Sequence, residues 1–358
     1  PAATAPAARP APVRSPEIHA DGTVTFRLRA PTATLVKMWG DWDGEGNDMT
    51  KDADGVWSVT LGSIPPNIYA YSFNIDGLTI ADPANGALKP MRSPTSSVLI
   101  VPGEPPVPIN RVAGVPHGVV HLHDYDSQSL GAARRLRVYT PPGYDAAKRT
   151  RYPVLYLLHG SGDNESTWTE FGKAHLILDN LIAAKKAVPM IVVMTDGHAR
   201  NSTAPEARAQ NTSAFAADFL TDVMPLVESS YRIRADRDHR AIVGLSMGGN
   251  QSLLIGLNHR DLFAWVGGMS SAIRDPDQPL ASFWADPVSK KTPLRLLWLR
   301  IGRDDYLLKE NRAFDALLTA KNIPHDYAES AGGHIWPVWR SYLADLAPLL
   351  FQTPRSAR

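Results

Sequence analysis

The 358-residue sequence contains no cysteine. That excludes disulfides, a thiolate nucleophile, iron–sulfur clusters and cysteine zinc sites. It leaves the compartment open, because exported and cytosolic chains can both dispense with thiols. Long hydrophobic runs are also missing. Nothing approaches the ~18–20 unbroken apolar residues of a membrane helix, and the longest runs, 153–158 and 294–301, have strand length. Charge of one sign is lacking too. Lys and Arg number 37 against 36 Asp and Glu, a formal net charge of +1. No strong field therefore points to nucleic acid, an anionic membrane or an acidic partner. No internal repeat breaks the chain into equal units. The oligomeric state is not legible.

The length fits two domains, and the hydrophobic share of 44% and charged share of 20% suit a chain that buries a full core. Residues 1–16 carry five prolines and six alanines. Proline fixes φ and removes donors, so this stretch reads as a disordered lead. It looks like the start of a mature, processed chain, which makes secreted or periplasmic localisation the expectation. From 17 to 102 the pattern is alternating apolar and polar residues, as in Val24-Thr25-Phe26-Arg27-Leu28-Arg29. Similar runs cover 35–39, 56–61, 68–75 and 98–101. Asp21-Gly22, Asp43-Gly44, Asp54-Gly55 and Asp76-Gly77 separate them as turns. Short strands at this spacing predict a small all-β sandwich of immunoglobulin-like type. Residues 103–116 read as a proline-rich linker.

From 117 to 352 the rhythm becomes strand–helix. Strands are expected at 134–140, 153–158, 190–195, 241–243, 265–269, 294–301 and 326–329. Helices are expected at 175–186, 214–229 (disturbed at Pro225), 248–257, 310–320 and 336–350. Apolar strands alternating with helices predict a mostly parallel sheet covered on both faces, a three-layer α/β/α domain.

The sharpest motif is Gly244-Leu245-Ser246-Met247-Gly248-Gly249, a G-x-S-x-G elbow between a predicted strand and helix. A serine on such a tight turn is lifted above the sheet, and glycine on either side relieves the crowding. An unaided hydroxyl is a weak nucleophile and needs a base with an orienting acid. In the α/β-hydrolase fold these follow as Ser, Asp or Glu, then His. Three histidines lie downstream. His259 ends the elbow helix, His325 starts a strand, and His334 lies in the flexible turn Gly332-Gly333-His334. His334 is the expected base. Gly302-Arg303-Asp304-Asp305 supplies the acid, and spacing alone does not separate Asp304 from Asp305. The backbone N–H of Met247 and that of Ser161, in the loop after strand 153–158, are the expected oxyanion donors. His159 reads as a brace for that loop. His121-Leu122-His123-Asp124 reads as a strand rather than a metal site, so neither metal nor cofactor is expected. Trp284 and Trp339 read as core. Trp168 and Trp336, each just after a catalytic loop, are expected to touch substrate. The polar segment 198–212 is expected to rim the site.

These residues resemble a known family. The stretches are Ser127-Gln128-Ser129-Leu130-Gly131, Arg137-Val138-Tyr139-Thr140-Pro141-Pro142-Gly143-Tyr144 and Tyr152 through Gly160, then the elbow, Gly302-Arg303-Asp304-Asp305 and Gly333-His334-Ile335-Trp336. Over about 117–350 they are similar to the esterase D-like group of carbohydrate esterase family one, which includes feruloyl and acetylxylan esterases and, more distantly, enterochelin esterases. In that family's G-x-x-D stretch the acid is the last residue, which implies Asp305. The front domain resembles the isoamylase N-terminal type of carbohydrate-binding module through Gly40-Asp41-Trp42, Asp54-Gly55-Val56-Trp57, Tyr69-Ala70-Tyr71 and Asp82-Pro83. Trp39, Trp42, Trp57, Tyr69 and Tyr71 are its candidate glycan platform or its core. The resemblance implies a serine esterase acting on feruloylated or acetylated xylan-type polysaccharide, feruloyl arabinoxylan first. Acetylxylan esterase, enterochelin-type siderophore esterase and an inactive glycan-binding hydrolase fold are the alternatives.

Overall fold

The computed structural model describes residues 11–42, 44–103, 114–144, 149–200, 204, 210–286 and 291–352. Most of the expected lead, most of the linker and, within the polar segment 198–212, residues 201–203 and 205–209 lie outside them. The chain divides into two compact units, Pro1–Lys89 with Ser93–Val107 and Pro90–Arg92 with Pro108–Arg358.

The first unit is all-β. One antiparallel sheet has the order β1 (Glu17–Ile18), β2 (Val24–Arg29), β6 (Val56–Leu61), β5 (Thr50–Lys51). The other runs β4 (Asn47–Asp48), β3 (Val36–Gly40), β7 (Asn67–Ile75), β8 (Leu78–Ile80), with β9 (Ser97–Val101) also on β7. The alternation sets the register. Val24, Phe26 and Leu28 are buried with Met38, Trp57, Tyr71 and Phe73, while Arg27 and Arg29 stay partly exposed. Asp76 and Gly77, at φ 47° and 96°, make the tight β7–β8 turn. The Asp76 carboxylate also accepts from the N–H groups of Thr34 and Leu35. The boundary expected at residue 17 is too late. Ser15, inside the expected lead, is buried, donates to Asp82 at 2.6 Å and accepts from the Arg27 N–H.

The second unit is built on an eight-stranded mixed sheet. Its order is β10 (Val119–Ser127), β11 (Ala132–Thr140), β13 (Ile191–Thr195), β12 (Val154–Leu158), β14 (Arg240–Leu245), β15 (Trp265–Met269), β16 (Leu296–Gly302), β17 (Asp326–Ser330). The first two pairings are antiparallel and the other five parallel. β12, β13, β14 and β15 are buried at every residue, as strands covered on both faces must be. Parallel strands place their C-terminal ends along one edge, and the loops carrying the candidate residues all leave from that edge. The helix expected at 214–229 is α-helical over Asn211–Asp218 and Met224–Ser230, with a π turn at Phe219–Val223 between them. Pro225 brings no N–H and crowds the carbonyl four residues back, and the wider turn just before it takes up that crowding. The last helix, Trp336–Leu346, ends four residues short of expectation.

Candidate active site

Ser246 is the first residue of the helix Ser246–Asn258, directly after β14. Its φ is +52°, a left-handed conformation that costs a non-glycine residue energy and persists only where packing enforces it. The enforcement is visible in the two motif glycines. A Cβ on Gly244 would collide with the Gly248 carbonyl, and one on Gly248 with the His159 carbonyl. The turn therefore closes tightly, and Ser246 is left 7% exposed at the C-terminal edge of the sheet.

The expected acid and base follow the ends of β16 and β17. Asp305 follows β16, and His334 follows β17 in the turn before the last helix. His334 Nδ1 lies 2.9 Å from Asp305 Oδ2 and 3.1 Å from Oδ1. Asp305 is 4% exposed, and the Leu307 N–H donates to its Oδ1 at 2.9 Å. Burial pushes its carboxyl pKa up, but the hydrogen bonds from His334, Leu307 and Ser270 outweigh that and hold it below the ordinary carboxylate value. Asp304 faces elsewhere. It is exposed, and its Oδ2 accepts from the Gly332 N–H at 3.2 Å, so it builds the turn. His325 is held by Asp315 and the Ile323 carbonyl, and His259 caps the elbow helix; neither is brought to this edge.

Three residues at the site went unread as functional. The Tyr306 ring sits 4.5 Å from that of His334 and is 70% exposed. Its place beside Asp305 in the sequence was the available signal. Trp339 meets the His334 ring edge-on at 4.8 Å and 88°. Its Nε1–H donates to Ser270 Oγ at 3.1 Å. No motif marks Ser270.

The loop after β12 approaches the same serine. A Cβ on Gly160 would lie 3.3 Å from Ser246 Cβ. His159 is buried and braces this loop against the β13 loop, with Nδ1 on the Gly160 carbonyl and the Gly197 N–H on Nε2 at 2.9 Å. His198 adds a second brace, accepting from the Gly162 N–H at 3.2 Å. Burial pushes its imidazole down to about 4, so it is neutral at pH 7. Met247 is the second residue of its helix, where no intrahelical acceptor serves its N–H. Ser161 is exposed in the loop, and among the described residues its N–H makes no backbone bond.

The substrate role expected of Trp168 and Trp336 is corrected. They are 1% and 3% exposed and meet edge to face at 4.9 Å. Trp168 Nε1–H donates to the Leu158 carbonyl. Buried rings with no open face are core, and here they support the loop from beneath. His121 pairs with Thr140 and His123 with the Tyr231 hydroxyl. Among the described residues no cluster of three His, Asp or Glu could hold a metal. A cleft of about 690 Å³ opens beside the 159–162 loop, lined among others by Arg92, Arg134, Asn164, His198 and Arg200. Ser246, Asp305 and His334 do not line it.

With this geometry in view, similarity to known proteins carries weight. A family model described as a putative esterase matches residues 127–350. An endo-1,4-beta-xylanase/feruloyl esterase of Xylanibacter ruminicola is 30% identical over 348 residues, 94% of this chain and 46% of that protein. The chain thus spans about half the length, or less, of the first curated relatives it matches. Among solved structures, a CE1 ferulic acid esterase from Anaeromyces mucronatus in complex with ferulic acid is 25% identical, with a TM-score of 0.60 over 68% of this chain and 94% of that one. The enterobactin esterase of Shigella flexneri is 20% identical, with a TM-score of 0.68 over 90% of this chain and 92% of that one, a likeness of fold. The second unit has the α/β-hydrolase fold of these esterases, and the chain belongs to the putative esterase family.

Proposed function

We propose that this chain is a serine carboxylic ester hydrolase that releases ferulate from feruloylated arabinoxylan. The observation that carries the reading is the His334–Asp305 pair at 2.9 Å, on the same sheet edge as Ser246 on its strained elbow. Ser246 is the nucleophile, His334 the base and Asp305 the acid that orients it. Neutral His334 takes the Ser246 proton as Oγ attacks the ester carbonyl. Asp305 holds the imidazole with Nδ1–H toward itself and stabilises the imidazolium. The N–H groups of Met247 and Ser161 receive the oxyanion. His334 then returns the proton to the departing sugar hydroxyl, leaving an acyl-enzyme. A water activated by His334 hydrolyses it to the free acid. No step calls for a metal or a cofactor.

The identity to the xylanase/feruloyl esterase runs over nearly the whole chain and so supports a hydroxycinnamoyl ester on xylan as substrate. We read the first unit as an immunoglobulin-like, carbohydrate-binding-module-like domain. Its aromatics are mostly spent on packing. Trp57, Tyr69 and Tyr71 are at most 6% exposed, and Trp42 stacks on Phe26. Trp39, at 42% exposure, is the one ring of the five left as a glycan platform. Export to where xylan is found follows from this reading.

The test is a panel of methyl ferulate, feruloylated arabinoxylan, acetylated xylan and a catecholate siderophore ester. Preference for the two feruloyl substrates supports the proposal. Preference for acetylxylan or the siderophore would replace the substrate while keeping the mechanism. Binding of xylan with no turnover of any ester would leave an inactive glycan-binding protein.

A further inference from the structure

His198 is 8% exposed, and both of its ring nitrogens face donors. The Gly162 N–H reaches Nε2 at 3.2 Å, and Arg92 Nη1 lies 3.3 Å from Nδ1. A neutral imidazole has one N–H and one acceptor nitrogen, and a guanidinium only donates. In either tautomer, therefore, one of the two contacts sets donor against donor. A peptide N–H has one direction in which to donate, whereas the guanidinium has several and sends Nη2–H to the Arg200 carbonyl at 3.2 Å. Nε2 is thus the acceptor for Gly162, and Nδ1 carries the proton toward Arg92. A second ring proton is disfavoured by burial first, then by His159, with Arg92 and Arg134 adding to it against the pull of Asp196.

A nearly buried N–H that meets another donor costs free energy unless an acceptor comes between them. Space for that acceptor exists. His198 and Arg92 both line the cleft of about 690 Å³, and every residue of its lining belongs to the second unit. The lining holds four arginines against two carboxylates, Glu165 and Asp196. Arg134 is matched by Asp218, Arg135 by Asp124, and Asp196 by His159. The balance, Arg92 and Arg200 against Glu165, is positive.

The cleft also shares a wall with the candidate active site. A Cβ on Gly160 would lie 3.3 Å from Ser246 Cβ, Gly162 bonds His198, and Asn164 and Glu165 line the cleft. The chain from Gly160 to Asn164 spans at most about 14 Å. That is the reach of a few sugar units.

We propose that the cleft is a subsite for a uronic acid unit of the polysaccharide, whose carboxylate is received by His198 Nδ1–H and the Arg92 guanidinium. A carboxylate oxygen accepts from both donors at once, and the guanidinium bond is charge-assisted. The link to the ester rests on the reading of Ser246 as nucleophile; recognition of the anion does not.

The test is a titration of the protein with methyl glucuronide, followed by the imidazole resonances of His198, with methyl glucoside as the same ring without the carboxylate. The glucuronide should move the resonances and shift the His198 titration to higher pH, because a bound anion favours the imidazolium. The glucoside should do neither. Arg92→Gln removes the charge, and Ala132→Glu adds a competing carboxylate at an exposed position of the lining. Each should weaken glucuronide binding about 10-fold. On feruloylated xylo-oligosaccharides with and without a glucuronate, the wild-type kcat/KM should favour the acidic one about 3–10-fold, and salt or Arg92→Gln should shrink that ratio. Equal responses to glucuronide and glucoside, or glucuronide binding untouched by both variants, would overturn the subsite. Inorganic phosphate binding more tightly than the glucuronide would overturn the sugar acid as its occupant, and oligosaccharides turned over without preference would overturn its service to the ester. A wild type that turns over no ester removes the esterase reading alone, and the titration still decides the subsite.

Discussion

His334 Nδ1 faces the Asp305 carboxylate at 2.9 Å, whereas Asp304, one residue earlier, faces the Gly332 N–H. Two adjacent aspartates on one turn therefore have different work. Asp305→Asn should lower kcat by about 10³–10⁴-fold with little change in KM, because the amide stabilises the wrong tautomer of the imidazole. Asp304→Asn should stay within about threefold of wild type and at most loosen the turn. Initial rates on methyl ferulate separate the two. Equal losses would mean that the turn, not the carboxylate, is what matters.

The acid limb of the pH profile should belong to an imidazole. Asp305 is held below the ordinary carboxylate range, so it remains ionised while pH falls through the histidine range. Protonated His334 cannot accept the Ser246 proton, and kcat should fall tenfold per unit of pH once that protonation dominates. Rates followed from pH 4 to 9 check this. A limb lying in the carboxylate range instead would point to Asp305 as the titrating group and contradict the assignment.

Much of this was legible in the sequence, and the reasons are local. The strand runs 24–29 and 56–61 and the strand 265–269 match because alternation or a short apolar run with turn signals leaves little choice. The elbow is legible because Gly244 and Gly248 are needed for close approach. Trp168 and Trp336 were misread because proximity in sequence to a catalytic loop does not say which way an indole points; these two point inward. The Ser270–Trp339 contact was not legible, since it depends on the last helix lying against the end of β15.

Burial sets the cost of breaking the ion pairs. Asp218 is fully buried and meets Arg134 Nε at 3.1 Å, with Tyr125 donating to the same oxygen. Asp218→Ala should cost about 3 kcal/mol, because it leaves a buried guanidinium without its counter-charge. The exposed Arg135–Asp124 pair is the control, and Asp124→Ala should cost about 0.5 kcal/mol or less. Urea midpoints measure both.

Tyr306 offers an exposed ring beside His334. A ring of this kind gains about 0.5–1.5 kcal/mol from an aromatic partner. Tyr306→Ala should therefore lower kcat/KM for methyl ferulate about 3–10-fold more than for p-nitrophenyl acetate, whose acyl group has no ring. An equal loss on both esters would confine Tyr306 to supporting His334.

The central claim is that Ser246 attacks a feruloyl ester. Its most direct test is ferulate release from methyl ferulate and from feruloylated arabinoxylan by the wild type and by Ser246→Ala at equal concentration. The account predicts turnover of both substrates by the wild type and a loss of about 10⁴-fold or more in the variant, whose fold and melting temperature are kept. Turnover retained in Ser246→Ala would contradict the mechanism, and a wild type inert toward both substrates while active on other esters would contradict the substrate.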